Sequence, residues 1–224
     1  MNNGLIIFCL PGNDFSKDFF INWIQFMTFL KKNKIDFMIS IEGGSNVSVV
    51  RERCLGLEEW EVVMPNQIPP FHGKIDYTHI MWIDSDVFFK PEDFMKLLER
   101  DKDIVAGLYL KDPKHYAATK VSEKTAYGDL ESMTKADLIG PDEKPIEDLI
   151  EGVGVGMGFM LVKKGVFESV QRPWFLTTPW NFSGILKLLV SEDIYFCLKA
   201  REAGFKLWLD PTVLVKHLKL VPLS

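Results

Sequence analysis

Apolar and polar positions follow two periods along this chain, and the switches between them mark out alternating strands and helices. Leu5 to Leu10 is a continuous apolar run closed by Pro11-Gly12, the pattern of a strand buried on both faces. Ser16 can cap a helix running to about Asn33, with Asp18, Asn22, Gln25 and Lys32 on a narrow polar stripe and the rest of the helix packed inward. Asp36 to Ile41 reads as a second strand, ending at Glu42-Gly43-Gly44-Ser45, and Val47 to about Glu59 as a helix. A weaker β element falls around Glu61 to Met64, and a firm strand over Tyr77 to Ile83. Pro91 suits the first turn of a helix through Arg100, and Asp103 to Leu110 is the next strand. Lys111 to Glu151 lacks a period and reads as a long surface excursion, a substrate-facing flap. Order returns with a strand over Phe159 to Val162 and a helix near Val166 to Val170. A helix bracketed by Ser191 and Gly204 and a short strand over Lys206 to Leu209 complete the chain.

Strands alternating with helices imply right-handed crossovers and an α/β fold on a mostly parallel central sheet. Ligands of such sheets sit beyond the carboxyl ends of the strands, where Pro11, Glu42 and Asp84 all fall. The 224 residues, 47% of them apolar, suffice for a single domain with a sizeable core. A formal charge of −5 gives no basic patch and argues against nucleic acid as a partner. Cys9, Cys54 and Cys197 have neither disulfide-framework nor zinc-site spacing, so a reducing, cytoplasmic setting is expected. No signal-peptide pattern opens the chain, and its most apolar helical stretch, Phe19 to Leu30, is too short and too polar for a transmembrane segment.

Four features carry candidate chemistry. His79-Ile80-Met81-Trp82-Ile83-Asp84-Ser85-Asp86 is an apolar run ending in two carboxylates. Residues two apart in an extended segment face one side, so Asp84 and Asp86 can meet one ligand; the plainer reading is a turn in which the aspartates cap the following chain. Hard carboxylate oxygens suit Mg²⁺ or Mn²⁺, which can bridge a diphosphate. His217 follows a late apolar segment and is by itself a structural histidine; joined to the aspartates it makes a mixed oxygen and imidazole shell that favours Mn²⁺. Glu192 and Asp193 start a helix, where they either complement its dipole or supply a general base. Gly152, Gly154, Gly156 and Gly158 precede a strand, which excludes a dinucleotide fingerprint and suggests a loop whose backbone approaches a ligand. Trp174, Trp180 and Phe182 could form an apolar platform for an acceptor sugar or simply core packing.

The order of "HIMWIDSD", "GVGMGFMLVKKGVFE" and "SEDIYFCLKAREAGFKLWLDPTVLVKH" resembles the GT-A class of nucleotide-sugar-dependent glycosyltransferases in its compact bacterial and viral form, over nearly the whole chain. The resemblance implies a divalent-metal-dependent transfer of a sugar from a nucleoside-diphosphate sugar, a UDP-sugar first, to a hydroxyl of a glycan, glycoprotein or glycolipid acceptor, with inversion. It assigns residues 1–110 to the nucleotide-binding half and 111–224 to the half that completes the metal and acceptor sites. Asp84 and Ser85 would lie on the donor, Asp86 and His217 would ligate the metal with Asp84 nearby, and Asp193, with Glu192 as alternative, would deprotonate the acceptor. Pro11 would flank the base, and Arg51 or Arg53 would contact the nucleotide; relatives carry Asn after the matching Arg, where this chain has Glu52 or Cys54. Gly156, Gly158 and Trp180 would lie on the acceptor side. Two competitors are a haloacid-dehalogenase-like phosphatase, disfavoured by Phe88 two positions after Asp86, and a non-catalytic nucleotide-sugar-binding module.

Overall fold

A computed structural model describes residues 4–64, 66–121, 130–182 and 186–218. In chain order its elements are β1 (Ile6–Pro11), α1 (Lys17–Lys32), β2 (Phe37–Glu42), α2 (Val47–Cys54), α3 (Glu59–Val62), β3 (His79–Ile83), β4 (Val87–Phe88), α4 (Pro91–Glu99) and β5 (Ile104–Leu108). They continue as β6 (His115–Val121), β7 (Leu130–Thr134), β8 (Ile150–Gly152), β9 (Gly154–Val155), β10 (Phe159–Lys163) and α5 (Val166–Ser169). The last are β11 (Thr178–Phe182), β12 (Leu186–Val190), α6 (Glu192–Glu202), β13 (Leu207–Leu214) and β14 (Lys216–His217).

The central sheet has the order β2-β1-β3-β10-β5-β13-β8. Strands β2, β1, β3, β5 and β13 share one direction and β10 and β8 oppose it, so the sheet is mostly parallel. Alternation along β1 explains why its apolar run is unbroken. Ile6, Phe8 and Leu10 pack toward α1 and α4, with Phe26 and Phe94 edge-on or tilted against Phe8 at 5.3 and 5.4 Å. Ile7 and Cys9 join the opposite layer with α2 and α6, around Trp82, Phe167, Trp174 and Phe196. The three cysteines are buried free thiols.

The structure corrects four local expectations. The Val47–Glu59 helix is two pieces, because Gly56 turns the chain at φ +80 after α2. The segment read as β around Glu61 falls in α3 and the turn after it; Glu61 folds back to accept the Glu58 N–H at 2.8 Å, a closure that outweighs the β-branched Val62 and Val63. Helix α1 buries only Phe19, Trp23, Phe26 and Leu30, leaving Phe20, Ile21 and Ile24 at 58, 44 and 44% exposure instead of packed inward. The 111–151 excursion is largely ordered, insofar as it is described: β6 pairs with β7 and β9, and β8 closes the central sheet. Tyr116 and Ala118 anchor β6 in the core. Residues 122–129 of that excursion lie outside the described residues.

Candidate active site

The run Arg51-Glu52-Arg53 on α2 sends three charges to three places. Arg53 pairs with Glu42 at 2.6 Å on the rim. Glu52, fully buried, accepts from Arg172 Nε at 3.3 Å and from the N–H groups of Trp174 and Phe175 at 2.7 and 3.2 Å, tying α2 to the loop before β11. Arg51 points into the site. Its Nη2 donates to Asp84 Oδ1 at 3.1 Å and its Nε to Glu192 Oε1 at 3.2 Å, with the guanidinium over the Trp82 ring at 5.5 Å. Geometry therefore separates the two arginines that the sequence left equivalent. Burial opposes the Arg51 charge, but Asp84 and Glu192 outweigh it and hold the guanidinium's pKa above its ordinary value. Asp84 is raised, by burial first and also by the charges of Asp86 and Glu192, which Arg51 only partly offsets. The site thus has more carboxylates than buried cations, the electrostatic condition for taking up a positive ion.

The expectation that Asp84 and Asp86 face one ligand from an extended strand needs correction. Strand β3 ends at Ile83, and the Val87 N–H closes a turn on the Asp84 carbonyl at 3.1 Å, so period-two alternation does not apply. Asp84 turns to Arg51. Asp86 turns to His217, whose Nε2 lies 2.8 Å from Asp86 Oδ2. The two are delivered by the β4–β14 pair, in which His217 stands opposite Val87, and by the Leu218 N–H donating to the Asp86 carbonyl at 2.8 Å. His217 Nδ1 is 3.3 Å from the Leu110 carbonyl, so both ring nitrogens face oxygen. A singly protonated imidazole cannot donate to both, whereas one holding its proton on Nδ1 presents the Nε2 lone pair to a cation shared with Asp86. Among the described residues no group of three or more His, Cys, Asp or Glu side chains is placed to hold a metal ion. Asp86 and His217 fit one as a pair; Asp84, committed to Arg51, does not join them here.

Tyr109, which no sequence signal marked, sits between these halves. Its hydroxyl accepts the Gly158 N–H at 3.1 Å, the Gly158 carbonyl accepts the Asp84 N–H at 3.1 Å, and its ring meets the His217 ring edge-on at 5.1 Å. This explains the glycines expected to approach a ligand: a Cβ on Gly156 or Gly158 would lie 2.2 or 2.8 Å from the Tyr109 oxygen, so their bareness makes room for Tyr109.

Glu192 and Asp193 divide their roles. Glu192 is buried against Arg51, while Asp193 is partly open, and its Oδ1 accepts from the Ser191 hydroxyl and from the Ile194 N–H at 2.7 Å. Ser191 stands at the N-cap position of α6 but spends its hydroxyl on Asp193 and not on the helix backbone. Burial and then the neighbouring Glu192 charge raise the Asp193 pKa. Trp180 packs edge-on to Tyr195 of α6 at 5.5 Å, one residue from Ile194. Trp174 is no platform: it is wholly buried, donating Nε1 to the Phe167 and Val170 carbonyls, each at 2.9 Å. The Phe182 side chain lies outside the described residues.

Beyond the carboxyl ends of β1, β2 and β3 opens a cleft of about 270 Å³. Its walls include Pro11, Asn13, Gly44, Arg51, Ser85 and Asp86. Asn13 bridges it, accepting the Gly44 N–H at 2.6 Å and donating to the Gly44 carbonyl at 3.2 Å.

A large, mostly parallel central sheet flanked by helices gives this chain the GT-A fold. No protein-family model matches the sequence, and no curated protein matches it. Among solved structures the chain is similar to A197 from STIV, with a TM-score of 0.50 and 20% identity over 98% of this chain and 97% of that one. It is also similar to GalNAc-T7 in its crystal structure with UDP, GalNAc and Mn²⁺, with a TM-score of 0.54 and 10% identity over 98% of this chain. The chain spans 45% of the length of GalNAc-T7. No helix among the described residues is long and apolar enough to cross a membrane.

Proposed function

We propose that this chain is a divalent-metal-dependent glycosyltransferase that moves a sugar from a UDP-sugar to an acceptor hydroxyl with inversion. The observation that carries the reading is the convergence of Arg51, Asp84, Asp86, Glu192 and His217, drawn from α2, the β3–β4 turn, α6 and β14, beside the cleft at the strand ends. Pro11, Asn13 and Gly44 wall the part of the cleft suited to a nucleoside, and Ser85 lies beside them. Asp86 and His217 would hold Mn²⁺ or Mg²⁺, which would neutralise the charge developing on the leaving diphosphate. Arg51 fixes Asp84 and Glu192 in place by hydrogen bonds from its guanidinium. Asp193, with its pKa raised and its carboxylate oriented by Ser191, accepts the acceptor's proton. Support for Asp193 over Glu192 is the pairing of Glu192 with Arg51. The test is nucleotide release (a nucleoside diphosphate from UDP-, GDP- and dTDP-sugars, CMP from CMP-sugars) with and without Mn²⁺. Mn²⁺-stimulated release confined to UDP-sugars is expected; none from any donor would sink the reading.

A further inference from the structure

A second cavity, of about 570 Å³, opens beside His217 and is more apolar than the cleft that Asp86 lines. Phe88, Leu110, Val215 and Leu218 wall it together with His217, whose partner Asp86 lines the polar cleft. A volume of this size is that of a small-molecule site, and an apolar wall this close to charged groups is costly to leave wet. Asp18, in the first turn of α1, also lines it. One turn further along, on the same side of that helix, comes Ile21, and Phe20 and Ile24 extend the exposed apolar surface. Exposed Lys17 precedes this stripe and exposed Lys31, Lys32 and Lys34 follow it. Lys216 sits on the cavity wall with no ion pair among the described residues. Apolar residues between lysines are the arrangement of a helix that lies on an anionic lipid surface.

We infer that the chamber beside His217 takes the alkyl chain of a lipid-linked acceptor, presented from a membrane surface on which the Phe20, Ile21 and Ile24 stripe rests. This assignment of acceptor class rests on the transferase reading. Phe88 and Leu110 enclose the chain, Leu218 covers it, and the acceptor's head group is left on the His217 side, toward Asp86.

The test uses the full chain. In calorimetry below the micellar concentration, octyl β-glucoside should bind at least about tenfold tighter than methyl β-glucoside, since each buried methylene adds to affinity. Leu218→Ser should erase most of that difference, by weakening the binding of octyl and not of methyl β-glucoside. Co-sedimentation with mixed phosphatidylcholine–phosphatidylglycerol vesicles should fall at least about threefold in Phe20→Asp/Ile24→Asp. Equal binding of the two glucosides, or a Leu218→Ser variant that keeps the preference, overturns the proposal. Tighter binding of N-acetyl-tryptophanamide than of octyl glucoside overturns it in favour of a peptide acceptor. A chain-length preference without UDP release from any variant keeps the alkyl site and rejects the transferase reading; UDP release with indifference to chain length does the reverse.

Discussion

Arg51 Nε donates to Glu192 Oε1 at 3.2 Å, joining α2 to the first turn of α6 across 141 residues of sequence. The same guanidinium holds Asp84. Removing it would strand one buried and one half-buried carboxylate beside Asp86 and Asp193. Arg51→Ala should therefore lower unfolding free energy by about 3 kcal/mol or more in urea titration. Arg51→Lys keeps the charge but cannot span both acceptors, and should recover less than half of that loss.

Asp86 pairs with the His217 imidazole, and variants of either should act through the metal. Asp86→Ala and His217→Ala are expected to abolish the Mn²⁺-dependent stabilisation by UDP in thermal shift, while melting without ligand moves little. A ligand at 100 times its Kd adds about 2.7 kcal/mol, so the lost shift is measurable. Full Mn²⁺-dependent stabilisation in Asp86→Ala would exclude that residue from the metal site.

Asp193 works as a base only when ionised. Because its pKa is raised above the usual 3.8, activity should climb with pH through that higher value and not be complete at pH 4. Asp193→Asn should slow transfer by about 10²–10⁴-fold, flatten the acidic limb and leave donor binding intact. A variant that loses donor binding in parallel would mark the position as a structural helix start.

Gly156→Ala should cost about 1–3 kcal/mol through overpacking against the Tyr109 hydroxyl, where the added Cβ would sit 2.2 Å away. Tyr109→Phe in the same chain should recover part of the loss. A double-mutant cycle reads the coupling directly; additive effects would mean that the two do not compete for that space.

His79, half-buried at the start of β3, has its pKa lowered from 6.5 to about 4, by burial first and then by Lys163, with Asp101 opposing. Below pH 6.5 the unfolded chain takes up a proton that the native imidazole refuses. Stability should be intact above pH 6.5 and fall as pH drops toward 4, by about 1–2 kcal/mol once the ring's partial exposure is allowed for. His79→Gln should remove that component of the slope in chemical unfolding measured across this range.

What could be read in the sequence was what short-range pattern fixes. The doubly buried β1, the Ser16 cap that accepts the Phe19 N–H at 3.0 Å, and the end of α6 at Gly204 with φ +92 all follow from residues within a few positions of one another. Arg51 and Arg53 could not be ranked, because what separates them is Glu42 on one side and Asp84 with Glu192 on the other, contacts of tertiary origin. Tyr109 left no trace, since its partner Gly158 lies 49 residues away. Strand β6 escaped because its inward residues, Tyr116 and Ala118, alternate with His115, Ala117 and Thr119 over too short a span for a firm period. The exposed face of α1 was misread for the opposite reason: Phe20, Ile21 and Ile24 are as apolar as core residues, and composition does not say which side of a helix the sheet takes.

The place of β10 in the sheet sets an order on synthesis. Strands β3 and β5 leave a gap between them, and β10, more than 50 positions after β5 begins, fills it by pairing with both. Until Lys163 has left the ribosome, Met81 and Val105 line two unpaired strand edges, the kind of surface that recruits other chains. A nascent chain stalled before that point should be more aggregation-prone than one released just beyond it, in which β5 still awaits β13 on its other edge.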